Sequence, residues 1–296
     1  MQLHSKFHMK FIFFSLALAW GSSFYLIKIS LDSFSPIQIT FLRSLIGFIT
    51  LAIWCKARGI LIPKPSKLWF HLGVLSFLLN SAPSFLFAIA ETQVSSTLAG
   101  LINATTPAMT IFLVSVILRS ERISNFQLLG LLLSFIGISI LVEVWKGLGS
   151  YSLSAVLALF GAVGCFAVSY PYIRTFLVTR EEPIEGMISI QLALSSVSFF
   201  PFYLASSPLE INLTFNSLLA VFSLGVFASG IAYVWNAKVV AFYGSAKASS
   251  VSYLIPVVAL LSGYLFLNEI PTASQLIGGA IILIGIWISE KRQQTV

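Results

Sequence analysis

Charge is what this sequence has least of. Asp, Glu, Lys and Arg make up only 9% of its 296 residues, against about 25% in an ordinary soluble domain, while 57% are hydrophobic. No aqueous surface can be built from so few charges, and no stretch between the apolar runs is long enough for a soluble domain. Histidine is limited to His4, His8 and His71 and aspartate to Asp32, so no metal cluster can be assembled. Ser and Thr are plentiful, but no base lies at membrane depth to activate one. A membrane-embedded enzyme is therefore the weaker reading, and neither metal nor cofactor is expected. Cys55 and Cys165 sit in apolar stretches and form no CxxC pair, which implies neither a disulfide framework nor a metal knuckle. The formal charge of +7 comes without a basic arm or a nucleic-acid motif, so nucleic acid is not an expected partner. No small-residue cleavage pattern follows the first apolar stretch, Phe11 to Ile29, so a retained signal-anchor helix is expected, with Met1 as the mature start.

What the sequence does have is a series of apolar runs. A bilayer core ~30 Å thick needs roughly 20 apolar residues per helix. Such runs occur at Phe11–Ser30, Pro36–Cys55, Leu68–Ala90, Val94–Leu118 and Phe126–Trp145, then at Ser152–Tyr172, Gly186–Leu204, Asn216–Asn236, Ala246–Leu267 and Ser274–Ser289. The expected fold is an all-α integral membrane protein of ten transmembrane helices, whose short connections make consecutive helices antiparallel neighbours. With the N-terminus inside, 14 of the 17 Lys and Arg residues fall in cytoplasmic segments, as the positive-inside bias of short loops requires. Only Lys146 falls in an outer loop, Lys28 lies near the outer end of the first helix, and Arg43 lies inside the second.

The two halves are related. At a shift of 148 residues, Glu121, Gln127, Gly130 and Gly137 fall on Glu269, Gln275, Gly278 and Gly285. Allowing one gap, Pro107 pairs with Pro256, Ser96 with Ser245 and Ala99 with Ala248. Trp20, Ser23, Phe24 and Lys28 correspond to Phe166, Ser169, Tyr170 and Arg174, and Pro36-Ile37 to Pro183-Ile184. Residues 1–147 and 148–296 thus read as two five-helix units. Because five is odd, the second enters the membrane from the opposite side, giving inverted repeats, whose natural use is alternating access.

With Ala19-Trp20-Gly21-Ser22-Ser23-Phe24, Pro36, Arg43, the fourth-run proline and the Glu-x5-Gln-x2-Gly-x6-Gly end of each half, the chain resembles the drug/metabolite transporter superfamily, EamA type, over nearly its whole length. The resemblance implies ten helices with both termini cytoplasmic, in a multi-pass membrane protein, with a bacterial inner membrane as the expected location. It implies secondary transport of a small-molecule substrate, usually export of amino acids or related metabolites. Export of toxic or drug-like cations, and uptake or exchange of a metabolite, are its alternatives. Phe166 stands where the first half has Trp20, and no arginine stands opposite Arg43, so the halves are not expected to function symmetrically.

Several residues are candidates for substrate contact. Pro107 and Pro256 fall mid-span, where proline frees the carbonyl four residues back, that of Asn103 or Ser252. Asn103 and Ser252 are therefore candidates for cargo binding and the two prolines for hinges, the competing reading being a kink satisfied by neighbouring helices. Trp20 and Tyr170 are expected in a cavity wall. The rest of their three-and-four-spaced faces reads as packing or interfacial anchoring. Asn80 is a further polar candidate; an interhelical hydrogen bond is the alternative for it, as for Gln191. Arg43 lies about 10 Å into its helix at ~1.5 Å per residue. It is either a donor fork for a carboxylate or phosphate, or half of a structural ion pair with Glu91 or Glu143. The paired glycines make grooves for helix packing, within the chain or between two copies, so monomer and homodimer both stand. Glu121 and Glu269 read as helix-start features, and no acidic residue lies at mid-depth to carry a proton.

Overall fold

The computed structural model describes residues 2–113, 124–146, 151–177, 180–206, 213–243 and 251–290, and among them every regular element is helical. The first half contains α1 (Gln2–Ser30), α2 (Pro36–Arg58), α3 (Lys67–Leu75), a π-helical segment (Ser76–Ser81), α4 (Ala82–Glu91), α5 (Ser96–Asn103), α6 (Thr106–Leu113) and α7 (Asn125–Leu141). The second contains α8 (Leu153–Phe176), α9 (Ile184–Ala205), α10 (Phe215–Ser223), a second π segment (Leu224–Ile231), α11 (Ala232–Tyr243), α12 (Val251–Leu267) and α13 (Ala273–Glu290). Each π segment joins its flanking helices into one rod, and seven helical stretches are long and apolar enough to cross a membrane. Shorter apolar helices, Tyr253–Leu267 and Ala273–Ser289, take up two of the remaining runs, and the fourth run is broken into α5 and α6. Large apolar side chains such as Phe14, Ile53, Phe135, Phe215 and Trp287 face outward, while Leu16, Ile27, Leu98, Ile102 and Leu159 are fully buried. An outer surface of that kind suits lipid as its solvent.

The helix starts follow from their caps. Ser35 and Gln38 form a capping box at the head of α2, with Pro36 in its first turn. Ser124 with Gln127 does the same for α7, and Thr272 with Gln275 for α13, each pair exchanging two hydrogen bonds of 2.9–3.2 Å. The two glutamines that recur at the 148-residue shift are therefore capping residues. The glycines that follow them let α7 and α13 touch backbone to backbone. A Cβ on Gly137 would stand 2.8 Å from the Gly278 carbonyl oxygen, and one on Gly278 would stand 2.6 Å from that of Gly137. Gly130 and Gly285 meet in the same reciprocal way. Of the two packing partners open from the sequence, these grooves take each other.

Glu269 does begin a helix, but not the one that follows it. Asn268 turns the chain with φ 55° after α12. The Glu269 carboxylate then accepts from Ser96 N (2.8 Å), Ser96 Oγ (3.0 Å), Thr97 N (2.9 Å) and Thr97 Oγ1 (2.7 Å) at the head of α5. An acid at a helix N-terminus satisfies orphan N–H groups and opposes the positive end of the dipole. Its counterpart Glu121 lies outside the described residues, as do Ser245 and Ala248.

Candidate functional site

The π segments shape the centre of the bundle. A π turn misaligns the i→i−4 ladder and leaves main-chain carbonyls available to side chains. The Leu79 carbonyl in the first segment accepts from the Tyr233 hydroxyl at 2.8 Å, and the Ala228 carbonyl in the second accepts from Trp20 Nε1 at 3.3 Å. Each segment thereby fixes an aromatic side chain from another helix.

Those aromatic side chains line a cavity of about 80 Å³, room for about five waters at ~15 Å³ each and so on the scale of a small metabolite. Trp20, Ser23, Phe24 and Ile27 of α1 form one wall, with Leu79, Ser84 and Phe87 beside them. Phe166 and Tyr170 of α8, Tyr233 and Asn236 of α11 and Ile255 of α12 also line it. Arg43 of α2, Asn103 of α5 and Thr106 of α6 complete the lining. The rings touch in sequence: Trp20 lies 6.0 Å from Tyr233, Phe24 5.3 Å from Phe87, and Phe87 6.1 Å from Phe166.

Arg43 is the charge in this wall. It is only 7% exposed, and its Nε donates to Ser229 Oγ at 3.0 Å, which aims the guanidinium. No other hydrogen bond holds that guanidinium, and neither Glu91 nor Glu143 forms a salt bridge with it, among the described residues. Glu143 is engaged elsewhere, with Lys146 at 3.1 Å and Ser274 at 2.7 Å. Arg43 therefore reaches the cavity with its terminal amino groups unclaimed. A planar guanidinium in that state matches the two oxygens of a carboxylate. In the same lining, the buried side-chain oxygen of Asn103 has no hydrogen-bond partner among the described residues. It is an acceptor waiting for a donor.

Of the candidates named from sequence, Trp20, Arg43, Asn103 and Tyr170 are brought together at the cavity. Asn80 is buried within the first π segment but does not line the cavity, and its amide nitrogen has no partner among the described residues. The side chains of Ser252 and Arg174 lie outside the described residues. The proline expectations meet two different outcomes. Helix four is interrupted at Ala104–Thr105, so that Pro107 falls in the first turn of α6, where a missing N–H costs nothing. The freed carbonyl of Asn103 is taken by Thr106 Oγ1 at 2.7 Å. Around Pro256, by contrast, α12 runs unbroken. Sequence reading missed Ser229, Tyr233 and Asn236, which share one face of the rod from the second π segment into α11 at four-and-three spacing. A search for polar stripes in the eighth apolar run would have found them.

The chain matches the model of the EamA-like transporter family twice, over residues 9–143 and 153–290. It is 25% identical over 269 residues to the uncharacterized transporter YdfC of Bacillus subtilis, covering 90% of this chain and 86% of that protein. A probable amino-acid metabolite efflux pump of Salmonella typhimurium is 26% identical over 291 residues, covering 94% and 93%. A solved protein crystal structure shares the fold, with a TM-score of 0.68 and 21% identity over 98% of this chain and 99% of that one. With both halves matched and apolar helices throughout, this multi-pass membrane protein belongs to the EamA-like transporter family.

Proposed function

We propose that the protein exports a zwitterionic amino acid or closely related metabolite across a bacterial inner membrane, by alternating access around the aromatic cavity. The observation that carries this reading is Arg43, buried at the cavity with its terminal amino groups unclaimed, on a lining that also holds the orphan Asn103 oxygen. Arg43 takes the cargo carboxylate, and Asn103 accepts from its ammonium group. The surrounding rings favour that cation and cover an apolar side chain. The same arginine disfavours a purely cationic drug, since like charges in a buried cavity repel. The Salmonella typhimurium relative, a probable amino-acid metabolite efflux pump, supports both the cargo class and efflux.

The alternating machine is two inverted five-helix units, 1–147 and 148–296, making ten spans with both termini cytoplasmic. In support, the two π segments begin at Ser76 and Leu224, the same 148-residue interval that relates Gln127 to Gln275. The family model matches each half separately. Two units of similar structure supply two arrangements of similar energy, one open to each side.

Counterflow in liposomes tests the cargo assignment. Purified protein is preloaded with each standard amino acid in turn and offered the radiolabelled form, its carboxamide, or a lipophilic cation outside. Saturable exchange of at least one free amino acid, with its carboxamide and the cation excluded, is expected. Exchange of the cation alone would replace this reading with drug export.

A further inference from the structure

Glu91 ends α4 with its side chain fully buried, and among the described residues neither of its carboxylate oxygens has a hydrogen-bond partner. The ammonium of Lys28 is close by but is spent on main chain, donating to the carbonyls of Glu91 at 2.6 Å and Val94 at 2.9 Å. There it caps the C-terminal end of α4, as a cation should. Glu269 shows what a well-supplied carboxylate looks like, with its four donors from Ser96 and Thr97. Glu91 has none. An ionised carboxylate taken out of water without donors is the costliest way to bury that side chain, and the neutral acid is the form such a place holds.

Its position joins the two working parts of the molecule. Phe87, one turn earlier on α4, and Ile27, next to Lys28, both line the cavity. Five residues beyond Glu91, Ser96 begins the clasp to Glu269 that ties α5 to the α12–α13 connection. The charges that act on Glu91 are Lys28 of α1, Glu269 of that connection and Arg43 of α2. Helix α8, which also packs on α4, contributes Cys165, Tyr170 and Tyr172, the last hydrogen-bonded to His71, and Arg174, whose side chain lies outside the described residues. Helix α5 contributes no titratable side chain.

We infer that Glu91 is a proton-binding site that couples cargo movement to proton movement, a role that rests on the transport reading above. While the Glu269 clasp is closed, Glu91 is a neutral carboxylic acid. Parting the clasp admits water, which supplies the missing donors, and the carboxyl O–H bond breaks to leave a carboxylate and a proton on that side. Reclosing takes a proton back, and when the alternating cycle has meanwhile turned the site to the other face, that proton comes from the other side. The two arrangements thus bind the proton with different affinity, and linkage makes a proton gradient bias them.

Infrared spectroscopy of the purified protein in lipid at neutral pH reads the site without any cargo. The C=O stretch of a protonated carboxyl is expected in the parent, lost in Glu91→Gln and retained, shifted, in Glu91→Asp. Its absence from the parent, or its survival in Glu91→Gln, overturns the proton site whatever the cargo. In the counterflow liposomes, Glu91→Gln is expected to exchange amino acid without a gradient while losing the acceleration that an imposed pH gradient gives the parent. Retained acceleration in Glu91→Gln, or a sodium gradient replacing the pH gradient in the parent, overturns the coupling. A parent that moves no amino acid overturns the transport reading and the coupling role with it, while the infrared band still decides whether Glu91 holds a proton.

Discussion

At the scale of single residues, the cavity is defined by polar atoms without partners. Hydrogen bonds to charged groups are worth about 1.5–3 kcal/mol, or about ten- to a hundredfold in affinity. Asn103→Leu removes the acceptor offered to the cargo ammonium and should weaken binding by about that factor, read as a rise in the half-saturating concentration for counterflow with expression unchanged. Ser229→Ala leaves Arg43 charged but unaimed. It should lower transport by about tenfold, the worth of one such hydrogen bond, because a donor fork acts only in the right orientation. Normal transport in both variants would remove the polar part of the site. Arg43 and Asn103 were legible from sequence because polar groups in apolar runs stand out. Glu91 was not, because its depth depends on how the ends of α1, α4 and α5 close over it, and hydropathy reports no such tertiary cover.

At the scale of elements, the helix interruptions that matter are not all at prolines. The run containing Pro107 is broken just before it, Pro256 passes without a break, and the two π segments have no sequence signature of their own. A π turn is one residue more than an α turn needs, and single-sequence periodicity absorbs it within boundary error. Deleting Phe227, an exposed residue of the second π segment, should restore a regular α turn. That would move Ser229 out of its place beside Arg43. Transport should be lost while the protein still reaches the membrane; full activity would show that the π geometry is incidental. Helix contact can be tested independently. Gly137→Ala forces a Cβ against the Gly278 carbonyl and should destabilise the detergent-solubilised protein by about 1–3 kcal/mol, the usual cost of overpacking. Gly164→Ala meets nothing within 4 Å and should be neutral or stabilise by up to about 1 kcal/mol, since alanine is the better helix former. Equal melting temperatures for the two variants would contradict the close approach of α7 and α13.

At the scale of the whole molecule, the helical class was plain from composition, and four residues recur at one interval across the two halves. The structure adds the physical reason for that recurrence: Gln127 and Gln275 cap helices, and the glycines behind them make the contact between the halves. Orientation in the membrane rests on the distribution of Lys and Arg, and labelling can read it. In a background lacking Cys55 and Cys165, Ser66→Cys should be inaccessible to a membrane-impermeant thiol reagent added outside intact cells, and should react once the cells are opened. Labelling from outside would invert the topology. The claim that joins all three scales is that the buried guanidinium of Arg43 holds the cargo carboxylate. The most direct measurement is a double cycle in the counterflow assay, comparing an exchanged amino acid with its carboxamide in the parent and in Arg43→Gln. The parent should prefer the free acid by about ten- to a hundredfold, and Arg43→Gln should lose that preference, treating acid and amide alike. An undiminished preference for the acid in Arg43→Gln would contradict the account.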